Sequence, residues 1–224
     1  MDKYVLIVAG GKGLRMGGEL PKQFLLLAGK PILMHTLEQF YLYDSAIKLV
    51  LVLPLDHQTY WKELCEAHQF IVPHQIAPGG ETRFHSVRNG LQCVQTKGIV
   101  AIHDGVRPFV SQQVITRCFE QASLTGSAIP VLDMVESVRQ YEGEGSRSVD
   151  RSRYCLVQTP QAFESTILLK SYEQSFSPQF TDDASVVESA GYTVTLVVGN
   201  KENCKITTPF DLILGACLLD QLNK

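Results

Sequence analysis

Apolar positions along the chain fall into short continuous runs separated by stretches of helical spacing. Residues 4–8, 47–53 and 99–102 are nearly unbroken apolar runs bounded by glycine, proline or acidic residues. Such runs suit strands buried on both faces of a parallel sheet. Between them, Pro31 opens a helix that places Leu33, Leu37 and Phe40 on one side. Asp56 is expected to cap a helix reaching His68. Thr82 is expected to cap one bearing Val87, Leu91 and Val94, and Ser111 one bearing Val114, Cys118 and Phe119. Residues 70–72, 127–132 and 193–198 read as further strands, and Thr208-Pro209 begins a last helix with Leu212, Ile213, Ala216 and Leu219 on its face. The alternation predicts an α/β fold, Rossmann-like, with a mostly parallel twisted sheet flanked by helices. Ligands of such sheets lie outside the carboxyl ends of the strands.

One stretch departs from this rhythm. Residues 133–154 are polar and contain Glu142-Gly143-Glu144-Gly145-Ser146 between weakly alternating flanks. A hairpin arm with its turn near Gly143 and Gly145 fits, and a structureless surface loop is the alternative.

Composition narrows the class. With 224 residues, 45% hydrophobic and 19% charged, the chain is expected to form one core-bearing domain carrying that arm. A net charge of -3 gives no global attraction to nucleic acid or anionic membrane, so any basic site is local. No apolar run approaches the ~20 residues of a membrane span, and the first run is too short for a signal peptide, so a cytoplasmic protein is expected. The six cysteines are scattered without a C-x-x-C pair, which argues against a disulfide framework or structural zinc.

The chemistry begins where the first strand ends. Ala9-Gly10-Gly11-Lys12-Gly13-Leu14-Arg15-Met16 is followed by Pro21-Lys22-Gln23. A glycine turn lets backbone N–H groups near Gly11 and Gly13 approach a polyphosphate while Arg15 and Lys22 neutralise it. It is not a Walker A loop, because Gly13 follows Lys12 where Ser or Thr is required, and Met16 replaces the third glycine of the dinucleotide fingerprint. Asp104, at a strand end, is placed to hold a Mg²⁺ that bridges phosphates, or else caps its own turn. Gly79-Gly80-Glu81-Thr82-Arg83 with Ser86 offers donors and acceptors for a base edge. Asp150-Arg151, Thr159-Pro160-Gln161, Thr181-Asp182-Asp183 and Lys205-Ile206-Thr207-Thr208-Pro209 are weaker signals taken singly.

Taken in order along nearly the whole chain, these segments resemble the 2-C-methyl-D-erythritol 4-phosphate cytidylyltransferases of the non-mevalonate isoprenoid pathway. The resemblance implies transfer of CMP from CTP to a polyol phosphate with Mg²⁺ as cofactor. It implies that Ala9, Gly10, Gly11, Gly13, Gly80, Glu81 and Ser86 bind the nucleotide, that Asp104 binds it and holds the metal, and that Arg15, Lys22 and Lys205 are catalytic. It further implies that Arg107, Asp133, Arg151, Thr159 and Thr181 bind the acceptor. Arg151 and Thr159 would complete a neighbour's pocket in a homodimer that exchanges arms. One departure stands out: Met134 follows Asp133 where many members of the family place Thr, and a thioether cannot donate that hydrogen bond. Ribitol-5-phosphate cytidylyltransferases share the nucleotide loop and form the nearest alternative. A non-catalytic nucleotide-binding module that acts through its arm is a second.

Overall fold

The computed structural model describes residues 1–11 and 20–222. In chain order the first half gives β1 (Asp2–Val8), a small hairpin of β2 (Leu26–Leu27) and β3 (Lys30–Pro31), α1 (Ile32–Tyr43), β4 (Lys48–Leu53), α2 (Leu55–Ala67), β5 (Gln75–Pro78), α3 (Arg83–Leu91) and β6 (Gly98–Asp104). The second half gives α4 (Gln112–Thr125), β7 (Ser127–Asp133), β8 (Val138–Glu142), β9 (Gly145–Val149), β10 (Cys155–Val157), β11 (Gln161–Glu164), α5 (Ser165–Ser171), α6 (Asp183–Ser189), β12 (Leu196–Val198) and α7 (Pro209–Leu222).

The main sheet runs β10-β7-β11-β6-β1-β4-β5, with β12 paired to β7. The β6-β1-β4-β5 half is parallel. Alternation on these strands feeds two cores. Val5, Ile7, Leu49, Leu51 and Ala101 pack beneath α1, α2 and α4, around Leu37, Trp61 and Phe119. Tyr4, Leu6, Val50, Val52 and Ile102 pack beneath α3, α5 and α6, around Phe84, Leu168 and Val187. Both faces of the sheet are therefore covered, which is why the central strands are apolar throughout. A third, smaller core joins Ile32, Val106, Phe109 and Ile206 to α7.

The chain crosses from β1 to β4 and β5 on one side and returns to β6 on the other. This leaves a crevice at the carboxyl ends of β1 and β6, the switch point where open α/β sheets bind ligands. The strand ends are locked together there: Ala9 N–H donates to the Val52 carbonyl, Gly105 N–H to Val8, and Gly79 N–H to Leu53.

Most expected elements are present, with Thr82 and Ser111 capping α3 and α4 through side chains that accept from His85 N–H and Val114 N–H. Four expectations need correction. Pro54, not Asp56, is the residue before α2; its extended backbone starts the helix at Leu55, and Asp56 sits in the first turn. Residues 70–72 form no strand, because Phe70 is drawn onto Trp61 and the Val72 carbonyl bonds His74 Nδ1; the ladder with β4 begins at Gln75. The strand expected at 193–198 is only Leu196–Val198. The short antiparallel strands β10 and β11 were not expected at all. The arm is a hairpin, β8 with β9, whose two-residue turn begins at Gly143 with φ +58°, a conformation open to glycine without strain.

Candidate active site

The crevice is a cleft of about 240 Å³ bounded by the segments after β1, β5 and β6, by Lys22 and Gln23, and by Lys205. It unites nine residues singled out from the sequence: Ala9, Gly10, Gly11, Lys22, Gly80, Glu81, Ser86, Asp104 and Lys205. Arg15 and Gly13 lie outside the described residues.

Each wall is built by local chemistry. On the first, buried Gln23 donates from Nε2 to the Ala9 carbonyl at 2.9 Å, tying the turn that carries Lys22 to the end of β1. The Lys22 side chain consequently passes close over Gly11. On the second wall, Gly80 N–H donates to Ser86 Oγ at 3.0 Å, and Ser86 Oγ–H donates to the Thr82 carbonyl at 3.0 Å. A Cβ at position 80 would fall 2.5 Å from His85 Cβ, so only glycine lets the turn fold onto the start of α3. Ser86 is thereby fixed at the cleft with both hydrogen-bonding functions engaged.

Asp104 forms the floor. Its Oδ2 receives Lys205 Nζ at 3.0 Å and Arg107 Nε at 3.2 Å, while Arg83 Nε stands 3.9 Å from Oδ1. Burial pushes this carboxyl up, but Lys205, Arg83 and Arg107 outweigh that and hold it well below the ordinary carboxylate range. Oδ1 makes no hydrogen bond to Arg83 at that distance and can still accept a cation. Among the described residues no group of three His, Cys, Asp or Glu stands together as a metal cluster. One carboxylate facing an open cleft nevertheless fits Mg²⁺, which usually takes one or two carboxylates and completes its shell with phosphate oxygens and water.

Behind the floor, His103 is neutral. Burial pulls its pKa down to about 4 despite the Arg107 carbonyl that it contacts. Nε2–H donates to that carbonyl at 3.0 Å, and Nδ1 accepts from the Thr159 hydroxyl at 3.1 Å. Thr159 Oγ1 in turn accepts Asp104 N–H at 3.1 Å. Thr159, expected to complete a neighbour's pocket, has its hydroxyl buried and bonded twice inside its own subunit. Arg107, expected to bind the acceptor, is engaged by its own chain. Its Nη1 donates to the Asn203 carbonyl at 2.7 Å and its Nε to Asp104, so it clamps the Lys205 segment to the floor.

The remaining acceptor candidates are not among the residues that line this cleft. Asp133 is exposed on β7 opposite Cys155 of β10, and with Met134 it borders a separate hollow at the root of the arm. Arg151 is exposed beyond β9 and donates to the Val135 carbonyl. Thr181 is exposed ahead of the capping box Asp182/Ser185 that starts α6. Sequence reasoning missed Arg83 and Gln23 as cleft residues. Both stood inside quoted segments; the usable signal was a polar side chain one or two positions from a residue already chosen.

Comparisons over the whole chain identify its relatives. Residues 4–221 match the family model described as 2-C-methyl-D-erythritol 4-phosphate cytidylyltransferase. Proteins of that name from Bacteroides fragilis and Porphyromonas gingivalis are 59% and 56% identical, over 98% and 97% of this chain and 100% and 97% of their own. The crystal structure of the protein so named from Thermus thermophilus superposes with a TM-score of 0.80 at 32% identity, covering 98% of this chain and 100% of that one. With fold, motif order and full length in agreement, the chain belongs to the 2-C-methyl-D-erythritol 4-phosphate cytidylyltransferase family.

Proposed function

We infer that this protein transfers CMP from CTP to 2-C-methyl-D-erythritol 4-phosphate, giving 4-diphosphocytidyl-2-C-methylerythritol and pyrophosphate. The observation that carries the reading is the convergence of Lys22, Asp104 and Lys205, from three distant parts of the chain, on one cleft at the sheet's switch point. Ala9, Gly10, Gly80, Glu81 and Ser86 line the side of that cleft where the cytosine and ribose would sit. Lys22 and Lys205 line the part of the cleft left for the triphosphate, and Arg15 is assigned to the same charge from the sequence motif.

The acceptor's phosphate oxygen attacks the α-phosphorus, a new P–O–P link forms, and the bond to the β-phosphate breaks as pyrophosphate departs. A phosphomonoester with its second pKa near 6 is already largely dianionic at neutral pH, so no general base is required. Charge accumulates on the leaving pyrophosphate, and the cations of Lys22 and Lys205, with that of Arg15, would stabilise it there. Asp104 would hold Mg²⁺, which supplies charge neutralisation on the phosphates when bound. His103, neutral and bonded at both nitrogens, takes no part in proton transfer.

Arg151, Asp133 and Thr181 belong to acceptor binding in the same reading. Arg151, with Thr159, would complete the pocket of a neighbour in a homodimer in which each arm reaches the partner, and each chain forms one nucleotidyltransferase unit. Exposed Val135, Tyr141, Tyr154 and Leu156 along the arm and its base support a partner surface there. Among the described residues no helix is long and apolar enough to cross a membrane, and we place the protein in the cytoplasm.

The test is pyrophosphate release with CTP and Mg²⁺, offering 2-C-methyl-D-erythritol 4-phosphate and ribitol 5-phosphate separately. Turnover with the first alone supports the reading. Turnover with the second alone overturns it and points to Met134 at the arm root.

A further inference from the structure

A carboxylate that the chemistry above does not use lies directly behind the cleft. Asp183, the first residue of α6, is fully buried. Its Oδ1 accepts from Arg83 Nη1 at 2.8 Å and from the Tyr172 hydroxyl at 2.6 Å, and its Oδ2 accepts from Arg83 Nη2 at 2.5 Å. Backbone N–H groups of Asp183 and Ala184 both donate to Gln161 Oε1 at 2.9 Å, and Gln161 Nε2 donates to Asp182 Oδ2 at 2.8 Å. Tyr172 is itself stacked on Phe84 with ring centroids 4.8 Å apart. Asp183 is thus fixed from α3, from β11 and from the end of α5.

The consequence appears on the other side of Arg83. A guanidinium beside a carboxylate favours the two-bond fork. Asp183 takes that fork, so Arg83 turns only its Nε edge toward Asp104, 3.9 Å from Oδ1. Remove the charge of Asp183 and the fork is free to close on the carboxylate at the cleft floor.

We propose that Asp183 is a positioning residue which, by engaging both terminal nitrogens of Arg83, keeps that guanidinium off Asp104 and leaves Oδ1 open to the divalent cation that accompanies the nucleotide. The inference rests on the reading of Asp104 as the cation-holding residue. It assigns Arg83 and Asp183 a joint role: a neutral pair that shapes the charge facing the triphosphate.

The experiment measures Mn²⁺ affinity of the enzyme–CTP mixture by electron paramagnetic resonance, alongside thermal denaturation. Asp183→Asn is expected to weaken Mn²⁺ uptake by about 10–100-fold, the usual cost of losing an outer partner of a metal ligand. Adding Arg83→Gln to it removes the misdirected guanidinium and is expected to restore affinity to within about threefold of the unsubstituted protein, a coupling that independent sites would not give. Tyr172→Phe leaves the fork intact and is expected to lower the melting temperature without moving the Mn²⁺ constant.

Unchanged Mn²⁺ affinity in Asp183→Asn, or no recovery in the double variant, overturns the proposal. If Asp183→Asn does not fold, the double variant and Tyr172→Phe decide it: about tenfold weaker Mn²⁺ binding in either contradicts the positioning role. Failure of the unsubstituted protein to take up Mn²⁺ with CTP would instead remove the underlying assignment of Asp104.

Discussion

The cleft and the arm are built on opposite plans. At the cleft, side chains from residues 83, 104, 107 and 205 meet within one interlocked set of charges, and the floor carboxylate Asp104 is 8% exposed. In the arm, β8 and β9 pair only with each other, their charged contacts are local, as between Arg147 and Glu142, and Tyr141 is 89% exposed. The cleft holds its geometry by burial and by matched charge. The arm holds only its hairpin ladder, and an isolated two-stranded hairpin gains little stability by itself. A region of the first kind can preorganise a reaction; one of the second kind must acquire its burial from another surface.

Four measurements bear on that contrast. The largest concerns the cleft: Lys22→Ala or Lys205→Ala should each lower turnover by at least ~10²-fold, as removal of a preorganised charge does. Steady-state rates near those of the unsubstituted protein in both would dissolve the proposed mechanism.

The second concerns the same region's response to acid. His103 has its pKa pulled from 6.5 to about 4. As pH falls below about 6.5 the unfolded chain takes up this proton while the folded protein does not, so stability is lost until about pH 4. At 1.36 kcal/mol per pKa unit the loss reaches roughly 3 kcal/mol. Asp104 adds to it at lower pH. Its folded-state pKa lies below the ordinary value, so its contribution is present above about pH 4 and disappears as pH falls further. Denaturant midpoints at pH 7 and pH 4.5 measure this, and a flat profile would contradict the buried neutral imidazole.

The third prediction joins the two regions. Subunits carrying Arg151→Ala mixed with subunits carrying Lys22→Ala should form heterodimers with about half the native activity, since one of two sites regains both groups. No recovery in verified heterodimers would place Arg151 in the service of its own chain. The smallest effect belongs to the arm tip: Tyr141→Ser should change the stability of a single chain by no more than about 0.5 kcal/mol in a denaturant titration. A larger loss would mean that the arm is packed against its own subunit.

The parts of the cleft that were legible in the sequence share a property. Asp104 ends β6, and Gly10 and Gly80 stand just past the ends of β1 and β5, where periodicity marks the boundary and the residue type is then informative. Arg83 and Asp183 were harder to assign, because their roles depend on a contact one hundred residues apart, which no local pattern encodes. Thr159 and Arg107 stood in motifs singled out from the sequence, and their side chains turn inward to the Asp104 N–H and the Asn203 carbonyl. Spacing identifies a segment but not the rotamer. The parallel half of the sheet was readable from its unbroken apolar runs. The antiparallel strands β10 and β11 were not, since three or four residues flanked by polar side chains carry too little periodicity to declare a strand.

In the proposed mechanism the cleft positions and neutralises its reactants and contributes no nucleophile of its own. Ser86 and Thr82, the hydroxyl-bearing side chains in its lining, are both engaged in local hydrogen bonds. The direct test is the stereochemical course at the α-phosphorus, followed with CTP bearing a chiral α-phosphorothioate and 2-C-methyl-D-erythritol 4-phosphate as acceptor. A single in-line displacement predicts inversion in the product. Retention would require two displacements through a cytidylyl-enzyme and would contradict the account.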